Sequence, residues 1–558
     1  MSACRTRWTL VRARHFVQLA ALLLFLALFL SVRARPDWTP GWAVTLFFHL
    51  DPLLQLVTGL ATRAVPAAWG WAVLTVAVTV VLGRVFCGWF CPLGTLHALA
   101  GRFLNWAWPR KESAVDTGSP WQRAKYCVLA GALAMALIGG HWICVFDPLV
   151  LLTRSMATAV LPAAQWAVEE GATTVWQWER RDPKDPRGPL PWYRRLSTVT
   201  EPGYAFLRDQ VFGVPRQAFL GGWLIFAVFL LTLLLNRVRR RFWCRYLCPL
   251  GALLGLLAWK PWLRRRLAEG ACTQCKVCNR GCSGAAASEP GKAWRPAECL
   301  GCMNCSAACP QGGVRFAFSL PGTPGPATVP VDLSRRALLG SAVGGVVGLS
   351  LLRISPQGRE RVYAPDLLRP PGARPEPEFL KRCTSCGLCM KVCTTGGLQP
   401  TLTEAGLEGL WTPRLVPRIG ACDYTCNLCG LVCPTQAIRP LPLEEKKKVR
   451  LGLAVVDTTR CLPYAFGTNC TVCEEHCPIP AKAIYAVEVE VTDRSGMKHR
   501  ILQPHVDPAQ CTGCGLCEQV CPFEDLPAIR VTSANESRHE GKNQPILPNE
   551  GLVGIEGY

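Results

Sequence analysis

Hydrophobic residues in the first half of the chain run together instead of alternating. His15 to Val32 (HFVQLAALLLFLALFLSV) is an unbroken apolar run, close to the roughly 20 residues a helix needs to cross a bilayer. The same pattern predicts a second span over Ala67 to Phe86, a third over Lys125 to Val145 and a fourth over Phe219 to Val238. Arg5, Arg7, Arg12 and Arg14 precede the first run, and Arg237, Arg239, Arg240 and Arg241 close the fourth. The positive-inside rule places both ends in the cytoplasm. The basic loop from Arg154 to Arg216 falls outside, where long loops carry little weight. No small-residue cleavage site follows the first run, which therefore reads as an anchor.

The membrane part repeats. The span ending in FCGWFCPLG (Phe86 to Gly94) matches the one ending in WCRYLCPLG (Trp243 to Gly251). Ahead of each lies a D-P-L segment, FFHLDPLLQL (Phe47 to Leu56) and WICVFDPLVLL (Trp142 to Leu152). Two similar hairpins predict a pseudo-symmetric four-helix core. Its C-x-x-x-C-P sites would face the cytoplasm and its D-P-L segments the outer face.

Composition narrows what the rest can be. The chain has 558 residues, 31 cysteines, 50% hydrophobic and 18% charged residues. It is too long for a small disulfide scaffold and too apolar for a disordered chain. The net charge of +22 sits mostly beside apolar runs, so it speaks for membrane orientation and not for nucleic acid.

Twenty-four of the cysteines fall in six groups of four. Cys272, Cys275, Cys278, Cys282 and Cys299, Cys302, Cys305, Cys309 both read C-x2-C-x2-C-x3-C, the bacterial ferredoxin run. In that arrangement the fourth cysteine ligates the other cluster. The expected sets are Cys272, Cys275, Cys278 with Cys309, and Cys299, Cys302, Cys305 with Cys282. Ser283 stands where a proline usually follows the fourth cysteine. Four more groups follow: Cys383, Cys386, Cys389, Cys393; Cys422, Cys426, Cys429, Cys433; Cys461, Cys470, Cys473, Cys477; and Cys511, Cys514, Cys517, Cys521. The outer two are tightly spaced and the inner two stretched. That symmetry predicts nested exchange: Cys521 with the first group, Cys393 with the fourth, Cys477 with the second and Cys433 with the third. Zinc sites usually combine separated C-x2-C or His pairs; three cysteines within seven residues, repeated, suit a cubane better. Six 4Fe-4S clusters are expected. The chain holds no C-x-x-C-H, no G-x-x-x-x-G-K-[ST] and no dinucleotide loop after a strand.

Pro321 to Pro330 (PGTPGPATVP) is a linker by composition. Arg335 and Arg336 then precede an apolar Gly/Ala-rich stretch, which reads as a twin-arginine export signal and, without an A-x-A site, as a fifth span. The four-group module would then face the periplasm. The expected domains are 1–265 (membrane, four spans), 266–320 (cytoplasmic two-cluster ferredoxin), 321–375 (linker and twin-arginine anchor), 376–535 (periplasmic four-cluster ferredoxin) and 536–558 (tail). The fold class is multi-domain: an α-helical membrane bundle with two α+β ferredoxin-like modules.

These features resemble a fusion of two families. The four spans, paired C-x-x-x-C-P motifs and two-cluster ferredoxin resemble NapH-type membrane polyferredoxins. The twin-arginine leader, LRPPGA (Leu368 to Ala373), four cysteine groups and VRLGLAVVDTTRCL resemble NapG/MauM-type ferredoxins. The resemblance implies a quinol dehydrogenase in a bacterial inner membrane. It would take electrons from membrane quinol and pass them to a periplasmic acceptor, a cytochrome or reductase, in a system such as periplasmic nitrate reduction. A redox maturation factor for a periplasmic metalloenzyme and an outward conduit for cytoplasmic ferredoxin electrons are the alternatives.

Two further sets of residues are candidates. Cys87, Cys91, Cys244 and Cys248 come from equivalent helix ends, and i and i+4 share a helix face. They form a metal, cluster or redox-disulfide site if the hairpins pack symmetrically, or buried thiols at helix breaks if they do not. Quinol oxidation needs a proton acceptor. His49 with Asp51, and His141 with Asp147, are candidates because ionisable groups at membrane depth are functional by default; the bland alternative is that Asp-Pro only starts a turn. Cys4, Cys127 and Cys144 have no partner pattern.

Overall fold

The structure is a computed structural model that describes residues 2–33, 42–66, 68–109, 119–180, 196–212, 217–268, 271–286, 294–319, 331, 334–354, 364–492 and 496–539. The Pro321 to Pro330 linker, the side chains of Cys4 and Cys144, and the tail after residue 539 lie outside them. The chain divides into two compact units. One comprises Met1–Ser31, Trp42–Ser155 and Trp223–Leu351; the other comprises Val32–Gly41, Met156–Gly222 and Leu352–Tyr558.

In chain order the first helices are α1 (Ser2–Ser31), α2 (Leu46–His49), α3 (Pro52–Thr62), α4 (Trp69–Leu82), α5 (Pro92–Ala107), α6 (Ala124–Leu137) and α7 (Pro148–Ser155). Then come α8 (Leu161–Arg180), α9 (Leu196–Leu207), α10 (Gly222–Leu234), α11 (Phe242–Tyr246) and α12 (Pro249–Leu257). Among the described residues, Leu10–Ser31 and Arg335–Leu352 are long and apolar enough to cross a bilayer. A pair bent by 81°, Ala43–His49 with Pro52–Thr62, makes a third if it counts as one span. Trp69–Leu82 and Gly222–Arg237 are apolar but shorter. The second, third and fourth expected spans are thus shorter helices than their apolar runs. α4 stops before Gly83, at φ 80°, and α6 before Gly139, at φ 78°; a left-handed glycine ends a helix without steric cost. Fourteen residues span about 21 Å, less than a hydrocarbon core of about 30 Å.

The Asp-Pro segments occupy helix breaks. Asp51 caps α3 with Pro52 at its first position, the placement proline's fixed φ favours. Asp147 does the same for α7, accepting from Leu149 and Val150. Depth along the bundle can be read from α1. Phe25 packs edge-on against Phe47 of the first D-P-L segment, and Gln18 donates to Gly88 O in the first cysteine motif. Those two points are seven residues apart, about 10 Å of helix. The first Asp-Pro break therefore enters the bundle instead of capping its far face.

Helix α13 (Val277–Arg280) and α14 (Asn304–Ala307) lie in the first ferredoxin module, and α15 (Arg335–Leu352) follows it. α15 packs on α6 through small residues. A Cβ on Gly345 would lie 2.3 Å from Gly131 O, and one on Gly131 3.1 Å from Ser341 O. This is the small-xxx-small contact by which membrane helices approach closely. Arg335 and Arg336 are exposed at its N-terminus.

Each ferredoxin module is closed by antiparallel pairing of the chain before its first cysteine with the chain after its last. β1 (Leu263–Leu267) pairs with β2 (Val314–Phe318) around Cys272 to Cys309. In the second unit β3 (Leu398–Pro400) pairs with β4 (Pro413–Leu415), and the bridge Ala373↔Ile438 encloses Cys383 to Cys433. β5 (Leu453–Val456) pairs with β8 (Ile529–Thr532) around Cys461 to Cys521. A long hairpin, β6 (Ile484–Thr492) with β7 (Lys498–Val506), is inserted within that last module. The four-group region is therefore two dicluster modules in series.

Candidate functional site

The tight cysteine groups share one backbone device. Both residues flanking the second cysteine are left-handed: Gln274 and Lys276, Gly301 and Met303, Ser385 and Gly387, Gly513 and Gly515, at φ between 55° and 86°. Such turns gather successive N–H groups into an anion-binding concavity, suited to a cluster carried by four thiolates. Neither Asn427 nor Thr471, the corresponding residues of the stretched groups, has a positive φ. Burial is the main cause that pushes Cys299, Cys383, Cys422 and Cys473 up to about 12. At neutral pH these thiols stay protonated until a metal displaces the proton.

An apolar cavity is lined by Cys299, Cys302, Cys305 and Cys282, and Cys278 lies within electrostatic reach of Cys275 and Cys309. In the second unit the exchange is between neighbours, which corrects the nested pairing. A cavity is lined by Cys461, Cys470, Cys473 and Cys521, so Cys521 and not Cys433 completes the third group. Cys433 stands by Cys383, Cys386 and Cys389. Cys393 stands by Cys422, Cys426 and Cys429, and Cys477 by Cys511 and Cys514. The strand pairing explains it: each module closes on itself before the next begins. The inside-out spacing arises because each module holds one tight and one stretched group, in opposite order. Cys422 N donates to Cys514 O at 2.8 Å. That bond joins the modules in the spatial order first, second, fourth, third group.

All cysteines whose state is described are free. Among the described residues no set of three or more His, Cys, Asp or Glu closes tightly around a single point. The two cavities each gather the four thiols that an iron–sulfur cubane needs.

The structure brings Cys87, Cys91, Cys244 and Cys248 together: Cys248 lies within electrostatic reach of the other three. The two motifs are built alike. Cys91 and Cys248 are helix N-caps at φ −66°, each followed by proline, and each Sγ accepts from a glycine N–H, Gly94 at 3.4 Å and Gly251 at 3.2 Å. Two arginines also belong to the motif; the sequence pattern showed Arg241 only as a charge closing the fourth run, and Arg84 not at all. Arg84 and Arg241 each stand three residues before the first cysteine, so the repeat is R-x-x-C-x-x-x-C-P-L-G. Both are buried, and each reaches across to the other motif. Arg241 Nη1 donates to Cys87 O at 3.0 Å, while a Cβ on Gly251 would meet Arg84 Nη2 at 2.7 Å. Their longer spacing from the apolar repeat hid their equivalence; aligning the two motifs three residues further back exposes it.

The loop carrying Cys299 and Cys302 is seated on this turn. A Cβ on Gly88 would lie 2.0 Å from Leu300 O. Trp89 Nε1 donates to Gly301 O at 3.0 Å, and Arg14 Nη1 to Cys302 O at 3.0 Å. Beside Cys299, the buried Glu298 accepts from Lys125 Nζ and from Tyr126 Oη, and lies 3.6 Å from Arg84 Nη1.

Of the quinol candidates, Asp51, Asp147 and His141 are buried and His49 is half-buried. His141 Nε2 and Thr58 Oγ1 are 2.9 Å apart. The helix after Cys248, α12, packs on α3 behind Asp51, and the helix after Cys91, α5, packs on α7 behind Asp147.

Repeated dicluster folds with free cysteines around cluster-sized cavities define an iron–sulfur protein of ferredoxin type that carries electrons. The family described as a 4Fe-4S binding domain matches residues 65–111 and 219–268, the two segments bearing the paired cysteine motifs. A 4Fe-4S dicluster domain matches residues 468–524. The methylamine utilization ferredoxin-type protein MauM of Methylobacillus flagellatus is 37% identical over 40% of this chain and 85% of its own length. The ferredoxin-type protein NapG of Escherichia coli is 36% identical over 38% of this chain and 86% of its own. The putative electron transport protein YccM of Escherichia coli is 26% identical over 51% of this chain and 65% of its own. No solved structure matches the chain. The chain belongs, over that aligned part, to the MauM/NapG family of ferredoxin-type proteins.

Proposed function

We propose that this protein oxidises a membrane quinol and carries the electrons to an acceptor outside the cytoplasmic membrane. The observation that carries the entry step of this reading is the seating of the Cys299 loop on the membrane cysteine turn, through Gly88, Trp89 and Arg14. A turn of four cysteines so close to a cluster loop serves electron transfer between them. Iron–sulfur centres bound at these cysteines supply one-electron transfer. The ferredoxin modules would hold six in the exchanged sets described above, and Cys87, Cys91, Cys244 and Cys248 would hold a seventh; the 4Fe-4S family match over both motifs supports this.

The residues of the chain do the rest. Arg84 and Arg241 bring positive charge to the membrane turn, where it would offset the negative charge of thiolate ligands. His49, Asp51, His141 and Asp147 supply the proton acceptors that quinol oxidation requires. α15 is a retained fifth span because it packs on α6, and the second unit faces the periplasm with its exit at the Cys461 group beside the β6–β7 hairpin. The acceptor serves a periplasmic reductase such as nitrate reductase. The likeness to methylamine utilization proteins favours a second reading, in which the acceptor is a metalloenzyme undergoing maturation.

The test is anaerobic addition of menaquinol or ubiquinol to the purified, iron-replete protein. Bleaching of cluster absorbance is expected. Failure of every quinol to reduce a protein that dithionite reduces would overturn the proposal.

A further inference from the structure

The two Asp-Pro breaks meet inside the bundle. Asp51 and Asp147 are 0% and 1% exposed. One oxygen of each is engaged by the helix it caps: Leu53 and Leu54 donate to Asp51 Oδ1 at 2.9 and 3.2 Å, and Leu149 and Val150 to Asp147 Oδ1 at 2.9 and 3.0 Å. Among the described residues no donor from elsewhere reaches either Oδ2. The two carboxyls lie within hydrogen-bonding distance of each other. Ionised carboxylates only accept hydrogen bonds, so a bond between them needs one proton. Two adjacent negative charges buried without a bonded cation are also prohibitively costly, and like pairs keep a proton for that reason. Arg154 Nη2 donates to Val145 O at 3.4 Å, His141 is bonded to Thr58, and His49 ends α2.

We propose that Asp51 and Asp147 form one proton-holding dyad, which shares a single proton at rest and accepts a second during oxidation of a quinol. The role in oxidation rests on the quinol reading; the shared proton does not. A quinol gives up two electrons and two protons in becoming a quinone. Electrons leave singly into iron–sulfur centres, and the resting dyad, with one proton and one negative charge, takes up one proton for each. It passes the first on before accepting the second. Thr58, two helical turns from Asp51 on the same face, with His141 bonded to it, offers a polar route away from the pair. The capping bonds keep the carboxyls in place whatever their protonation, so the pair can cycle without moving a helix.

The experiment combines infrared spectroscopy of the full-length holoprotein with the variants Asp51→Asn, Asp147→Asn and the double variant. Asparagine keeps the capping oxygen. The unsubstituted protein is expected to show the carbonyl stretch of a buried protonated carboxyl that shifts in D2O, either single variant to move that band, because the remaining buried carboxyl keeps a proton of its own, and the double variant to lose it. Quinol-driven cluster reduction is expected to fall at least tenfold in each single variant and no further in the double, with dithionite reduction unchanged. A band left at the same frequency in both single variants, or losses that multiply in the double, would overturn the dyad. Wild-type quinol rates in the double variant would remove its part in oxidation and leave the quinol reading standing. A carboxyl band in a protein that no quinol reduces would sink the quinol reading and leave the shared proton standing. The infrared measurement on the unsubstituted protein needs no variant to fold.

Discussion

The two units hold cysteines by different means. In the first, the membrane turn and the Cys299 loop are secured by long buried side chains: Arg14, Arg84, Lys125 and Arg241 donate to loop carbonyls or to Glu298. In the second, backbone contacts share that work with half-buried side chains such as Arg418 and Lys482, which donate to Cys521 O and Cys477 O. Gly452 and Gly513 sit against each other's backbone, and Cys422 N reaches Cys514 O. The difference follows from surroundings. Among membrane helices there is little water to satisfy a stray carbonyl, so a charged side chain is brought in and must itself be neutralised. In a ferredoxin module the strands close the chain on itself, and the turn supplies its own donors.

The comparison is broken most severely at Glu298. Glu298→Gln leaves Lys125 and Arg84 buried without their counter-charge, which is expected to cost about 3–5 kcal/mol. Thermal unfolding in detergent checks this. An unchanged midpoint would mean the first unit does not depend on buried charge.

A buried charge cluster in the second unit sharpens the contrast. Glu376 accepts from Arg369 Nε at 3.0 Å and Arg538 Nη1 at 3.0 Å. Burial raises its carboxyl, but the two guanidiniums outweigh that and hold it at about 2 against an ordinary 4.5. A depressed carboxyl stabilises the fold fully above its ordinary value and loses that contribution as pH falls from about 4.5 to about 2. The sum is about 3 kcal/mol. Acid titration of Glu376→Gln should lack this component in that window.

At α15, Gly345→Leu forces a side chain into the Gly131 backbone. Overpacking of this kind costs about 1–3 kcal/mol, read as increased protease access to the segment after α15. Wild-type protection would remove the packed-span reading. The smallest effect separates the tight turns. Gly513 and Gly515 adopt their left-handed turn freely, whereas Gln274 and Lys276 adopt it with side chains. Lys276→Gly is expected to stabilise the first module by up to about 1 kcal/mol, while Gly515→Ala destabilises. Destabilisation by Lys276→Gly or stabilisation by Gly515→Ala, read as thermal midpoints, would contradict this account.

Cysteine spacing made the ferredoxin modules legible, because each ligand position is tied to a local turn. The exchange partners in the second unit were not legible, because spacing symmetry does not report which strands pair; β5 with β8, and the bridge of Ala373 to Ile438, decide it. The Asp-Pro segments read as turns on the far face, whereas Phe47 against Phe25 places the first within the bundle. Apolar runs overstated the helices, since Gly83 and Gly139 end them early. LRPPGA read only as a resemblance. Its physical content is Arg369, 1% exposed and bonded to Glu376, Thr412 and Pro413 O.

The central claim is that electrons enter through the membrane cysteine turn. Stopped-flow reduction by quinol, compared between the unsubstituted protein and the Cys87→Ser/Cys248→Ser variant, tests it most directly. The account predicts that quinol reduces all clusters in the first and none in the variant, while dithionite reduces the ferredoxin clusters of both. Quinol reduction at the same rate in the two proteins would contradict it.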